Sequence, residues 1–158
     1  MKRKIANLLL VSSIIIGSSL TAEAKGTDES LVGLNCAEEE TEELVTQYDK
    51  DLIAVVTMGE AEGESEEGKR LVIDTILNRV DSEYFPDTIE EVIYQPYQFE
   101  AMWNGRIYES YDMTGVYDLI DEELEERLNS DVIFFTAGRY GDYGTPLFQV
   151  GNHYFASY

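Results

Sequence analysis

The chain has 158 residues, and 32 Asp and Glu against 11 Lys and Arg give it a formal net charge of −21. Such a chain repels nucleic acid and anionic lipid, because affinity for phosphate groups comes mainly from Lys and Arg. The length suits one compact domain. The single cysteine, Cys36, excludes a disulfide within the chain.

The first 24 residues have the parts of a secretory signal peptide. A basic MKRK opening is followed by an apolar stretch over residues 5–20 and a small-x-small site, Ala22-Glu23-Ala24. Serines and a glycine interrupt the apolar stretch, which falls short of the roughly 20 apolar residues of a membrane anchor. We therefore expect cleavage after residue 24, an acidic linker over 25–47 and one domain over 48–158.

Helical spacing begins at residue 48. Leu52, Val55, Val56 and Gly59 fall on one face of a helix whose last turn carries Glu60. A second helix is predicted from about Ser65, a short third helix over 89–93, and an acidic helix over about 117–128. Residues 132–136 and 147–150 are β-branched and aromatic runs around the turn-rich 141–144, which predicts a hairpin. Helices followed by a C-terminal hairpin are typical of an α+β fold.

The sequence disfavours metal and triad chemistry. A catalytic zinc commonly takes three protein ligands with His prominent, and this chain has one His, His153. A Ser-His-Asp triad or a Cys-His dyad would need that same His, and no motif surrounds Cys36. We therefore expect no metal and no cofactor, which leaves carboxylate chemistry.

One glutamate of the stretch TMGEAEGESEEGKR, residues 57–70, is favoured by its position. Glu60 sits beyond an apolar helix face, where partial burial would raise its pKa and make it a general acid. Glu62, Glu66 and Glu67 are interpreted as a solvated acidic first turn. Glu64 could act in the site or orient a loop.

Three ordered blocks resemble the cell-wall hydrolases of the SleB type, the spore cortex-lytic family. They are VVTMGEAEGESEEGKRLVIDTILNRV at 55–80, FPDTIEEVIYQPYQFEA at 85–101 and GTPLFQVGNHYF at 144–155. The resemblance implies a lysozyme-like α+β domain that acts on peptidoglycan glycan strands, with the glutamate matching Glu60 as the essential acid. The acidic Glu62 stands where the family usually has a basic residue, which bears on substrate range.

The implied reaction cleaves the bond between N-acetylmuramic acid and N-acetylglucosamine. A hydrolase needs a second carboxylate, and Glu64 or Asp142 could supply it. A lytic transglycosylase uses the sugar's own 6-hydroxyl, so one glutamate suffices. We predict a secreted, monomeric lytic transglycosylase of the cell wall or spore cortex. The alternatives are a muramidase-type glycoside hydrolase and a catalytically silent wall-binding protein. An amidase or endopeptidase is disfavoured by the lack of metal ligands.

Aromatic and amide side chains of the other two blocks suit a sugar cleft. Tyr97, Gln98, Phe99 and Trp103 combine flat apolar faces with hydrogen-bonding groups, although Phe99 and Trp103 could equally be core residues. Asn152 and His153 follow Gly151, where a turn could present polar groups beside Glu60. His153 could instead brace Tyr154 or a backbone carbonyl.

Overall fold

A computed structural model describes residues 45–158, so the predicted signal peptide and most of the predicted linker lie outside the described residues. The helices are α1 (Gln47–Ala61), α2 (Glu66–Asp81), α3 (Ile89–Ile93), α4 (Ala101–Asn104), a 3-10 turn (Arg106–Tyr108) and α5 (Val116–Glu125). The strands are β1 (Phe134–Ala137), β2 (Thr145–Val150) and β3 (His153–Ser157). The predicted α+β class is confirmed, with the helices ahead of the strands.

Side-chain caps fix where the two long helices begin. Thr46 and Asp49 form a capping box before α1, with Thr46 Oγ1 accepting from Asp49 N at 3.2 Å and Asp49 Oδ2 accepting from Thr46 N at 3.0 Å. Ser65 Oγ accepts from Gly68 N at 3.2 Å at the start of α2. Both helices turn apolar faces into one core with α3 and α5. The last turn of α1, which carries Glu60, is therefore anchored by packing.

The strands form one antiparallel sheet in the order β1-β3-β2. The prediction that the 132–136 and 147–150 runs pair with each other is wrong, because β3 lies between them. The hairpin is made by β2 and β3, joined by a two-residue loop whose first residue, Gly151, has φ +56°. Glycine at that position is typical of a tight hairpin turn. β3 carries Phe155 and the other buried residues of the sheet's centre.

Two carboxyl groups are fully buried between α2 and α5. Glu123 accepts from the Arg70 guanidinium and, at 2.6 Å, from Leu128 N. Asp74 accepts from Asn129 N at 2.7 Å. Burial and the neighbouring Glu123 carboxyl raise the pKa of Asp74 to about 8. Asp74 therefore holds a proton at neutral pH and hydrogen-bonds Glu123 through it.

No helix in the stretch from residue 45 to residue 158 combines the length and the apolar character needed to cross a membrane.

Candidate active site

Glu60 lies in the last turn of α1 and is half-buried. Its Oε1 accepts a hydrogen bond from the backbone N–H of Ala101 at 2.7 Å. Burial raises the pKa of Glu60 above its usual value, against the opposing effect of the Ala101 N–H. The Glu100 charge raises this pKa further and the Arg106 charge lowers it. A carboxyl whose pKa is raised and whose Oε1 is held by a backbone N–H is suited to general acid catalysis.

Gly59 allows the first residue of α4 to reach Glu60. A Cβ at position 59 would lie 2.6 Å from the Ala101 Cβ, closer than real side chains approach. The close contact between α1 and α4 places the Ala101 N–H against the Glu60 carboxylate. This glycine therefore serves the site by permitting close approach of two backbones.

Charged neighbours of Glu60 come from a part of the chain that sequence reasoning missed. Glu100 and Arg106 both act on the Glu60 pKa. Arg106 Nη2 also lies 3.7 Å from Glu62 Oε2, so Glu62 is paired rather than simply solvated. Tyr111 donates to the Arg106 carbonyl at 2.8 Å and holds this segment. The sequence indicated Glu100 only through its position within residues 85–101, one of the three segments that resemble the SleB-type family.

Glu64 joins the α1–α2 loop to the hairpin. Its two carboxylate oxygens lie 3.3 and 3.2 Å from the donating Asn152 N. A Cβ on Gly151 would lie 1.7 Å from Glu64 Oε2, so a side chain at this position would displace the carboxylate from the Asn152 N–H. This contact fits the loop-orienting role, one of the two roles that the sequence leaves open for Glu64. Asn152 offers its backbone N–H to Glu64, and the residue itself is exposed.

His153 is only 4% exposed and packs against the Phe135 ring at 5.0 Å between centroids. Burial lowers its pKa, against the effect of the Glu64 charge. Its Nδ1 has no hydrogen-bond partner within residues 45–158. The side chain is therefore packed inside the domain rather than presented on the surface.

The predicted sugar-binding residues separate into exposed and buried groups. Tyr97 is 94% and Trp103 55% exposed, and Gln98 is also exposed. Tyr97 and Gln98 line one cavity of about 460 Å³, and they precede Ala101 in the chain. The prediction that Phe99 contacts substrate is corrected, because Phe99 is fully buried among the core residues of the helices. Tyr97, two residues before Phe99, has φ 66°, in the left-handed region.

The family model for Cell Wall Hydrolase matches residues 63–156, which is more than half of the chain. The chain belongs to this family. It is 44% identical over 63 residues to a spore cortex-lytic enzyme of Oceanobacillus iheyensis, covering 40% of this chain and 23% of that protein. The chain thus spans about a quarter of the length of that relative.

Two solved structures share the fold of this cell wall hydrolase domain. The catalytic domain of the Bacillus cereus SleB protein matches with a TM-score of 0.61 and 26% identity, covering 72% of this chain and 92% of that domain. The catalytic domain of SleB from Bacillus anthracis, described as a germination-specific lytic transglycosylase, matches with a TM-score of 0.61 and 24% identity, covering 73% and 98%. The fold of the domain is therefore that of the SleB catalytic domain.

Glu60 lies just ahead of the residues that the family model matches, which begin at 63. Its assignment in this cell wall hydrolase therefore depends on its geometry: partial burial, the Ala101 N–H and the two opposed charges of Glu100 and Arg106.

Proposed function

We propose that this domain cleaves peptidoglycan glycan strands between N-acetylmuramic acid and N-acetylglucosamine as a lytic transglycosylase, with Glu60 as the acid. The observation that carries the proposal is the half-buried Glu60 carboxyl, whose raised pKa and fixed orientation suit proton donation. The family match and the name of the Oceanobacillus iheyensis relative support a cell-wall glycan as the substrate.

Glu60 performs both proton transfers in this reaction. A proton on Oε2 leaves the Ala101 N–H bond to Oε1 intact. That proton passes to the glycosidic oxygen as the bond from it to C1 of muramic acid breaks, giving an oxocarbenium-like transition state. The Glu60 carboxylate then accepts the proton of the sugar's 6-hydroxyl as its oxygen attacks C1. The product is a 1,6-anhydro sugar, Glu60 is protonated again, and no water is consumed.

The contacts of Glu64 favour this route, whereas Glu100 is the carboxylate that could serve the hydrolase alternative. Glu64 faces a backbone N–H donor at Asn152, which commits it to holding the hairpin. Glu100 is the carboxylate whose charge raises the Glu60 pKa, so it is the candidate base for a muramidase-type hydrolase. The two routes leave different ends on the glycan, so the products distinguish them.

Mass spectrometry of muropeptides from digested cell wall tests the proposal. The expected main products carry 1,6-anhydro-muramic ends and are lighter by one water than hydrolysed counterparts. Reducing muramic ends as the main product, lost in a Glu100→Gln variant, would establish the hydrolase instead. If the glycan strands stay intact after incubation with folded protein, the domain is a catalytically silent wall-binding protein instead.

We propose further that the domain acts outside the cytoplasm as a monomer on the cell wall or spore cortex. The signal-like order of residues 1–24 and the name spore cortex-lytic enzyme of the relative support this location. Fractionation of the producing cells, with the domain followed by an antibody, tests it. Retention of the protein in the cytoplasm would contradict the proposal.

A further inference from the structure

A cavity of about 460 Å³ lies against one face of the sheet. The cross-strand partners Thr136 with Tyr154 and Phe134 with Ala156 place four side chains of β1 and β3 on that face. Tyr97, Gln98 and Tyr143 line the cavity from two loops. Aromatic faces and an amide together suit a sugar ring with hydrogen-bonding substituents.

Arg79, in the last turn of α2, also lines this cavity and is only 3% exposed. Its Nε donates to the Ile133 carbonyl at 2.8 Å. Its guanidinium carbon lies 5.1, 5.1 and 5.7 Å from the ring centres of Phe85, Phe99 and Phe134. These contacts fix the guanidinium between rings and a backbone carbonyl.

No acidic side chain among residues 45–158 balances the positive charge of Arg79. No carboxylate of residues 45–158 forms an ion pair with it, and its buried Nη1 has no hydrogen-bond partner there. Burial lowers the pKa of Arg79 to about 10, so it is still a cation at neutral pH. A buried cation without an anion is costly, and this chain has 32 acidic residues that could have supplied one. The Arg79 guanidinium therefore lacks an anionic hydrogen-bond acceptor, and a bound ligand can provide one.

We propose that this cavity binds a carboxylate carried by a muramic acid residue of the glycan strand, with Arg79 as its anchor. This inference rests on the proposed function. A guanidinium matches a carboxylate better than it matches a neutral hydroxyl. In peptidoglycan the muramic residue carries a carboxylate either as a free lactyl group or on its stem peptide, whereas N-acetylglucosamine carries none. Arg79 is thus a specificity-determining residue that recognises the muramic position of the strand.

The cavity and the catalytic acid share one short segment of backbone. Gln98 lines the cavity, and three residues later Ala101 donates to Glu60 at 2.7 Å. Three residues span at most about 11 Å even when fully extended. A single glycan strand can therefore occupy the cavity with one sugar and present a nearby glycosidic bond to Glu60.

Isothermal titration of the Glu60→Gln protein, which should bind strands without turning them over, tests this subsite. The ligands are peptide-free glycan strands with free lactyl carboxylates, strands that keep their stem peptides, and both kinds after amidation of the carboxylates. Amidation is expected to weaken binding at least about tenfold, as expected for loss of a charged hydrogen bond. If amidation weakens the binding of peptide-free strands, the lactyl carboxylate is the bound group. If amidation weakens only the binding of peptide-bearing strands, the bound carboxylate belongs to the stem peptide.

Arg79→Met in the Glu60→Gln background should make the affinities for native and amidated strands equal. Arg139→Met, which deletes the same charge at an exposed position of the β1–β2 loop, should retain the difference in affinity. Equal affinity for native and amidated strands of both kinds, measured with Arg79 intact, overturns the proposal without requiring any Arg79 variant to fold. A parallel digest by the unmodified protein separates the two hypotheses. Cleavage combined with equal affinities refutes the Arg79 subsite alone, and absence of cleavage refutes the proposed function.

Discussion

The buried carboxyl pair between α2 and α5 predicts a stability that depends on pH. Folded Asp74 keeps its proton to about pH 8, whereas the unfolded side chain ionises near 3.8. Between these values the folded state holds the extra proton, so the free energy of unfolding falls as pH rises and levels off above the folded pKa. The slope is about 1.4 kcal/mol per pH unit well below the folded pKa and about half of that at the folded pKa, so the loss between about pH 6 and pH 8 is roughly 2 kcal/mol.

Asp74→Asn removes the titration and keeps the hydrogen bonds. The amide can donate to Glu123 where the acid proton did, and its oxygen can accept from Asn129 N–H, a bond of 2.7 Å in the parent. The variant should therefore have a flatter pH profile and a melting temperature above the parent's near pH 8, by on the order of 10 °C. Urea unfolding across this pH range measures the slope, with Asp142→Asn, at an exposed loop position, as the control. Identical pH slopes for parent and Asp74→Asn would refute the shared proton.

Three further predictions concern the site and export. Gly151→Ala should lower the melting temperature and activity together, because its Cβ would lie 1.7 Å from Glu64 Oε2 at φ +56°. Adding Glu64→Ala should restore part of the melting temperature, and no restoration would rule out this steric conflict. Activity should fall as pH rises through the raised pKa of Glu60. Glu100→Gln removes a negative charge that raises this pKa, so the fall in kcat/KM should move to lower pH. A fall at an unchanged pH would show that Glu100 does not act on the acid. N-terminal sequencing of exported protein should begin at Lys25, whereas an intact N-terminus in the membrane fraction would indicate an anchor.

Local signals in the sequence were sufficient for α1, α2, α3 and α5, but not for the short α4. Ser65 and Thr88 cap α2 and α3 as their spacing to the apolar positions suggests. Helical periodicity also placed Glu60 in the last turn of α1. These features depend on residues within about four positions of each other, which one sequence displays directly.

The remaining features depend on contacts between distant residues. β3 lies at the centre of the sheet. The β-branched and aromatic runs at 132–136 and 147–150 do not by themselves determine which strands pair. The contact between Glu60 and Ala101 spans 41 positions and needs Gly59 to bring two helices together. Residue type also left the direction of Phe99 open, since an aromatic ring suits a sugar cleft and a core equally.

We propose that Glu60 transfers the proton that breaks the glycan strand. The test is muropeptide release by Glu60→Gln, compared with the parent at equal concentration and equal circular dichroism. Glu67→Gln, at an exposed position in the first turn of α2, is the matched control, because Glu62 is paired with Arg106 near the site. Glu60→Gln should release anhydro-muropeptides at least about a hundredfold more slowly, and Glu67→Gln at nearly the parent rate. Folded Glu60→Gln protein that digests cell wall at the parent rate would show that Glu60 is not the acid.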